Sequence, residues 1–348
     1  MALVAILGDT HLGARNASSH FSNHFNKFFS ELFYPYLREH NITQIIQLGD
    51  LFDNRTQLSL KAYHACKSTW FDKLNEYGIE MHVLLGNHDI FYKNSLQVNS
   101  PELLLSEYSN IKVYNKPTII DLYGTTFALV PWICDENKEQ IYDFMNRDKI
   151  ADICCGHFEI DGFEMMRGMP GHGGLPRNLF DRFELTMSGH YHTKSYDPYY
   201  RIQYVGTPYE ITFADLNDPR GFHVFDTDTR KLEFIHNPNT MFARVVYNNG
   251  YDGDISSLAN KAVKLIVEKK SDLYKFDRFV DSVKLTEVYE LQIIENFQDL
   301  HNVETDGTIS IENSQTIINH YIDKLTTSVD KNRLKDFMTG LYAESISE

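Results

Sequence analysis

The sequence predicts an α/β protein built in layers, followed by a smaller α+β unit and C-terminal helices, on three observations. Short apolar runs alternate with amphipathic stretches over residues 1–215, the pattern of strands covered by helices. Five of those apolar runs are each followed by a glycine-led polar cluster. Past residue 216 the alternation gives way to shorter strands separated by turn residues.

The runs that read as strands include Leu3 to Leu7, Gln44 to Leu48, Met81 to Leu85, Thr126 to Val130, Ile153 to Cys155 and Leu185 to Met187. Two long helical patterns, Phe21 to Glu39 and Leu58 to Tyr77, carry Phe25, Phe28, Phe29, Phe33, Tyr63, Trp70 and Phe71 at mixed three- and four-residue spacing. That is more aromatic surface than one stripe holds. The helices are expected to pack on a sheet, and the excess suggests a face that pairs with a second copy of the chain. GFHVFDTDTRKLEFI reads as a hairpin turning at DTDT. A strand (Val263 to Glu268), a helix (Leu273 to Val283) and a strand (Glu287 to Ile294) then suggest a βαβ-like cap. Asp299 to Asn313 is polar and reads as a linker, and Gln315 to Leu325 and Lys331 to Ile346 read as two amphipathic helices. The expected divisions are 1–215, a capping domain over 216–298, a linker over 299–313 and a helical tail over 314–348.

At 348 residues and 42% hydrophobic content the chain can bury a large core, which excludes disorder as a general description. MALVAILGD lacks the basic start of a signal peptide and reads as a buried first strand. No stretch approaches the roughly 18 to 20 apolar residues of a membrane span, so a cytoplasmic protein is expected. The four cysteines, Cys66, Cys134, Cys154 and Cys155, show no C-x-x-C spacing, in keeping with a reducing compartment. The net charge of −15 is the opposite of the basic footprint of a free-standing nucleic-acid binder.

The five polar clusters are Gly8-Asp9-Thr10-His11, Gly49-Asp50, Gly86-Asn87-His88-Asp89, Gly156-His157 and Gly189-His190-Tyr191-His192. Each lies where a predicted strand ends, the place at which open α/β sheets gather ligands. A lone Gly-Asp or Gly-His is more often a turn, but five at strand ends point to one crevice. Aspartate, asparagine and imidazole make a mixed O/N donor set that suits Mn, Fe or Zn better than Ca, and the absence of thiolate argues against a structural zinc. In Asp9-x-His11 and His190-x-His192 the two-residue spacing puts both side chains on one face of an extended segment. Asp89 is available to orient His88.

This set resembles the calcineurin-like metallophosphoesterases, whose pattern is D-x-H, G-D, G-N-H-[DE], G-H and G-H-x-H. Within that superfamily the chain is similar to SbcD-type recombination nucleases through PWICDEN, GHFEIDGF, SGHYHT and NDPRGFHVFDT, over residues 1 to about 248. The resemblance implies an α-β-β-α metallophosphoesterase sandwich holding two divalent ions, usually Mn2+ with Mg2+ possible. One ion falls to Asp9, His11, Asp50 and His192, the other to Asp50, Asn87, His157 and His190, which makes Asp50 the bridge. His88, with no metal role in that assignment, is placed at the departing oxygen as a general acid or hydrogen-bond donor.

The resemblance further implies a DNA nuclease with 3′-to-5′ exonuclease and single-strand endonuclease action, in the host cytoplasm if phage-encoded. Its partner would be an SbcC-type SMC-like ATPase bound through the C-terminal helices. The aromatic excess, independently of the resemblance, suggests a homodimer through the helices near 21–39 and 58–77. The stretch GDLFDNR has Asp53 where some relatives carry histidine. Arg55 and His172 read as loop residues. Protein phosphatases of the superfamily carry GDxVDRG and GNHE, unlike this chain, and a scaffold that had lost catalysis would lack ligands that are all present here. A small-molecule or cyclic-nucleotide phosphodiesterase is the remaining alternative, and only the C-terminal third speaks against it.

Overall fold

Val4 and Ile6 face one way along the first strand and Ala5 and Leu7 the other, and all four are fully buried. A strand apolar on both faces needs a layer on each side. The computed structural model, which describes residues 2–147, 150–166, 169–170, 174–295 and Lys331, supplies those layers. Strands β1 (Leu3–Leu7), β2 (Gln44–Gln47), β3 (Glu80–Leu84) and β4 (Ile111–Tyr114) run parallel in one sheet. A second sheet is built on β5 (Thr118–Leu122), β6 (Thr125–Val130), β7 (Ile153–His157), β10 (Leu185–Gly189), β11 (Ser195–Asp197) and β12 (Ile202–Tyr204). A short pair, β8 (Glu164–Met166) and β9 (Met169–Pro170), lies between β7 and β10 in the chain. The second sheet has the order β11-β12-β10-β7-β6-β5, with β6, β7, β10 and β12 mutually parallel.

The inward residues of both sheets, among them Val4, Ile6, Ile46, Leu84, Phe127, Leu129, Ile153, Cys155 and Met187, form one core. The outward faces carry their own helices: Ala5, Leu7, Ile45, Met81 and Val83 pack under Phe21 to Leu37 and Cys66 to Leu74, and Ala128, Val130 and Cys154 under Ile141, Phe144 and Met145. Adjacent Cys154 and Cys155 thus face different layers, and all four cysteines are free and buried. The layering is the α-β-β-α sandwich expected.

Two expectations change. The hairpin of β13 (Gly221–Asp226) and β14 (Lys231–His236), placed by sequence in the capping unit, completes the first sheet in the order β14-β13-β1-β2-β3-β4. Its strand β13 pairs antiparallel with β1, Ile6 opposite His223. The boundary expected after residue 215 therefore falls inside the sandwich, because the apolar Phe222, Val224 and Phe225 serve the same two cores as β1. Beyond the hairpin, β15 (Phe242–Asn248), β16 (Ala262–Lys269), a helix (Leu273–Leu285) and β17 (Glu290–Ile294) make a three-stranded unit with its own core.

The second change concerns the aromatic excess. Phe28, Phe29, Phe33, Trp70 and Phe71 are at most 2% exposed. Both long helices pass through π-helical segments, Phe28–Phe33 and Lys67–Phe71, whose wider turns bring neighbours such as Phe28 and Phe29 inward together. Phe29 stacks on Trp70 at 4.6 Å, Trp70 on Phe71, while Tyr209 packs on Phe28 and Phe222 on Phe33. The excess fills an internal wall and is no argument for a dimer face. The linker, the tail helices apart from Lys331, and His172 lie outside the described residues. Among the described residues no helix is long and apolar enough to cross a membrane.

His82 and His223 lie buried away from the strand-end clusters, and burial pushes their pKa values down to about 4 and about 3. Both rings are neutral in the folded protein at pH 5 but protonated in the unfolded chain, which then binds more protons. Stability therefore falls as pH drops from about 6.5 toward 4. Each ring is expected to cost on the order of 2 kcal/mol at pH 5 relative to pH 7. Urea midpoints at the two pH values check this, and His82→Gln should flatten the difference.

Candidate metal centre

Each of the five clusters sits at or just past a strand end: Asp9 and His11 after β1, Asp50 after β2, Asn87 and His88 after β3, His157 closing β7, and His190 and His192 after β10. The sheets face each other with these edges together, so the Asp9 carboxylate on one accepts the His190 backbone N–H of the other at 2.9 and 3.1 Å. His11, Asp50 and His190 adopt positive φ angles of 42°, 51° and 86°, a conformation that costs non-glycine residues on the order of 1–3 kcal/mol each and collects at functional sites. The fold bears that strain where the donors converge.

Two glycines make the approach feasible. Gly49 has φ +95°, and a Cβ there would stand 2.5 Å from His157 Nδ1. A Cβ on Gly86 would stand 2.2 Å from the Asp50 backbone N and Oδ1.

The candidate residues fall into two donor groups. Asp9, His11 and His192 each offer an atom within 4.8 Å of the others, as do Asp50, His157 and His190. In the first group His11 Nε2 lies 3.0 Å from His192 Nε2, and Asp9 Oδ2 lies 3.8 Å from His192 Nε2. In the second, Asn87 Oδ1 lies 3.0 Å from both His157 Nε2 and His190 Nδ1. Asp50 divides its oxygens. Oδ1 accepts the His88 backbone N–H at 2.7 Å; Oδ2 stands 3.7 Å from His11 Nε2 and 3.5 Å from His157 Nε2, between the groups. His190 and His192 do not share a face as their spacing suggested, because the left-handed turn at His190 sends one ring to each group.

The electrostatics fit a cation. Burial pushes Asp9 up to about 6 against the pull of His157. Burial also opposes charge on Asp50, but His157, His11 and His88 hold it well below the usual carboxylate range. Burial disfavours charged His11 and His157, yet the surrounding aspartates outweigh it and carry both up to about 9. His190 and His192 are pushed by burial, then by neighbouring imidazoles, down to about 3, so both are neutral donors. The buried carboxylates draw positive charge onto whatever stands beside them, and divalent ions meet that demand with more charge than protonated imidazoles.

The supporting groups were mostly not legible in the sequence. Asp89 does not orient His88: fully buried, it accepts the backbone N–H groups of Gly86, Leu51 and Phe52 at 2.9, 3.3 and 3.1 Å and ties two clusters together. His88 Nδ1 donates to the Asp53 carbonyl at 2.6 Å, which leaves Nε2 free. The Asp53 carboxylate stands 3.4 Å from His11 Nδ1. His157 Nδ1 donates to the Leu48 carbonyl at 2.7 Å, which turns Nε2 toward Asn87 and Asp50. Trp132 of PWICDEN walls the second group, its ring 5.1 Å from that of His190, and donates its backbone N–H to Leu85. Arg55 makes no ion pair among the described residues.

Buried Arg220, within NDPRGFHVFDT, donates to the His192 carbonyl and to Thr207 Oγ1, and pairs with Asp215 and Asp218 at 2.8 and 2.9 Å. It anchors the backbone that carries His192. Arg220→Met should destabilise the chain by about 3–5 kcal/mol, since it strands Asp215 without its cation, and should weaken ion binding at the His192 group first. Denaturant titration and metal titration read the two effects separately.

Facing sheets whose parallel strands end in two adjoining donor groups give the frame of a metal-dependent phosphoesterase. The chain belongs to the calcineurin-like phosphoesterase family, whose model matches residues 2–194. It is 33% identical over 344 residues to exonuclease subunit 1 of Enterobacteria phage T4, covering 97% of this chain and 98% of that protein. It is 24% identical over 342 residues to the SbcD component of the SbcCD nuclease of Staphylococcus saprophyticus, covering 86% and 88%. A solved archaeal phosphodiesterase aligns at TM-score 0.35 and 11% identity over 68% of this chain and 99% of that one.

Proposed function

We propose that the chain is the nuclease subunit of an SbcC/SbcD-like complex, cleaving DNA as a 3′-to-5′ exonuclease and single-strand endonuclease with two divalent ions. The position of Asp50 Oδ2 between the two donor groups is the observation that carries the dinuclear chemistry. Asp9, His11 and His192 with Asp50 would hold one ion, and Asn87, His157 and His190 with Asp50 the other. Four imidazoles in the set favour manganese over magnesium, which prefers oxygen. When bound, such ions lower the pKa of an attacking water and neutralise phosphate charge. The chain's own part is to fix the donors: Leu48 and Asp53 set the tautomers of His157 and His88, and the free His88 Nε2 serves the departing oxygen.

DNA as the substrate is supported by likeness to an exonuclease subunit along nearly the whole chain, including a C-terminal third that a small-molecule phosphodiesterase does not need. An SbcC-type ATPase bound through residues 314–348 would supply the positive field that a chain of net charge −15 lacks. A homodimer would use the exposed Leu60 and Leu103, which lie on helices linked by the bond from Tyr63 Oη to the Leu104 carbonyl. Sedimentation should show a dimer that Leu60→Glu with Leu103→Glu converts to monomer; a wild-type monomer at micromolar concentration ends that part of the reading. For the function, manganese-dependent cleavage of single- and double-stranded DNA is measured beside a bis-phosphoester dye, with and without the ATPase. Dye hydrolysis with no DNA cleavage under any condition favours the small-molecule alternative.

A further inference from the structure

A second site lies away from the metal donors. A cavity of about 360 Å3 opens between the helix Ser19–Lys27 and the segments around Asn239 and Asn260. His20, Asn23, His24 and Lys27 line it from one face of the helix, at the three- and four-residue spacing that stacks side chains. Lys261 closes the other side.

None of the ten lining residues is acidic, in a chain with 48 carboxylate side chains against 33 lysines and arginines. Neither Lys27 nor Lys261 makes an ion pair among the described residues. His24 is buried with Nε2 unpartnered, an arrangement that costs free energy unless something binds there. Burial, then Lys27 and Lys261, push the His24 pKa down to about 4, so its ring is neutral near pH 7. Lysine, amide, hydroxyl and imidazole groups around a concave space of this size form a donor-rich small-ligand site.

We propose that this cavity binds a phosphate group. That group is the backbone phosphodiester of a DNA strand or the phosphate of a free mononucleotide, which present the same oxyanion. Lys27 and Lys261 neutralise it, and the amides of Asn23 and Asn239 contribute hydrogen bonds. The site also touches the metal-centre scaffold: the His24 ring packs 6.2 Å from that of Tyr209, whose hydroxyl donates to the Thr10 carbonyl between Asp9 and His11 at 2.5 Å.

The test uses the full chain loaded with manganese and the double variant Lys27→Gln/Lys261→Gln, with Lys27→Arg/Lys261→Arg as the charge-preserving control. Calorimetry with inorganic phosphate and with thymidine 5′-monophosphate reads small-ligand binding; a phosphorothioate oligothymidylate reads strand binding at several salt concentrations. The glutamine variant should lose one phosphate equivalent per chain, or bind it at least tenfold more weakly, while dye hydrolysis and the arginine variant stay at wild-type levels. If a strand occupies the site, oligonucleotide affinity also falls and its salt slope drops by about 0.7, one phosphate contact on a single strand. If only the mononucleotide and phosphate lose affinity, the free product is the ligand. Unchanged binding of all three probes in the glutamine variant overturns the proposal, as does equal loss in the arginine variant. Because dye hydrolysis is read separately, neither outcome depends on whether the metal centre cuts DNA.

Discussion

Asp50→Ala is expected to lower hydrolysis of DNA and of a bis-phosphoester dye alike by at least about 10^3-fold and to bring bound metal below two ions per chain. Groups that merely orient a ligand cost about 10- to 100-fold when removed, and Asp50 offers Oδ2 to both donor groups. The loss should not reflect unfolding. Removing the carboxylate forfeits a charged hydrogen bond from the His88 N–H, yet it also relieves Asp9 and Asp89, whose pKa values are raised chiefly by burial and further by Asp50. In metal-free buffer these effects oppose each other, so the melting temperature should stay near that of wild type. Asp50→Asn, which preserves the shape and the Oδ1 acceptor, should fold equally well and bind metal almost as poorly. Two bound ions in Asp50→Ala would remove it from the bridging position.

His88→Ala is expected to keep both ions and lose on the order of 10^2- to 10^4-fold in DNA cleavage, the usual worth of a positioned proton-transfer group. Burial holds the His88 pKa below the ordinary imidazole value, and the Asp53 carbonyl takes the Nδ1 proton. Nε2 therefore presents a lone pair until an anionic phosphate beside it favours protonation. The discriminating measurement is leaving-group dependence. A nitrophenolate departs without help, so the dye reaction should fall less than about tenfold while DNA cleavage collapses. Equal losses on both substrates would move His88 away from the departing oxygen, and unchanged DNA turnover would reject any catalytic role.

The eight candidate residues were legible because each follows an apolar run that ends in glycine, a local pattern that needs no knowledge of the rest of the chain. The layers were legible for the same reason, since both faces of runs such as Val4 to Leu7 are apolar. Gly49 and Gly86 confirm that the motif glycines are steric requirements of the crevice. The hairpin at Gly221 was recognised as a hairpin, but its partner β1 lies more than 200 residues away. No local signal reveals such a pairing.

By itself, then, the sequence determined the donor types, their order along the chain and the strand ends that carry them, because side-chain chemistry and period-two alternation are written residue by residue. Residue types and spacing left open which donors share a group, a division that only the resemblance implied and that packing decides. Tertiary structure sent His190 and His192 to different groups through one left-handed turn, gave Asp89 to backbone amides instead of His88, and set Arg220 behind the His192 carbonyl. It also turned the aromatic excess of the long helices into an internal wall through two π-helical segments. These outcomes depend on where a second sheet presses its edge against the first, a matter of packing between residues distant in sequence.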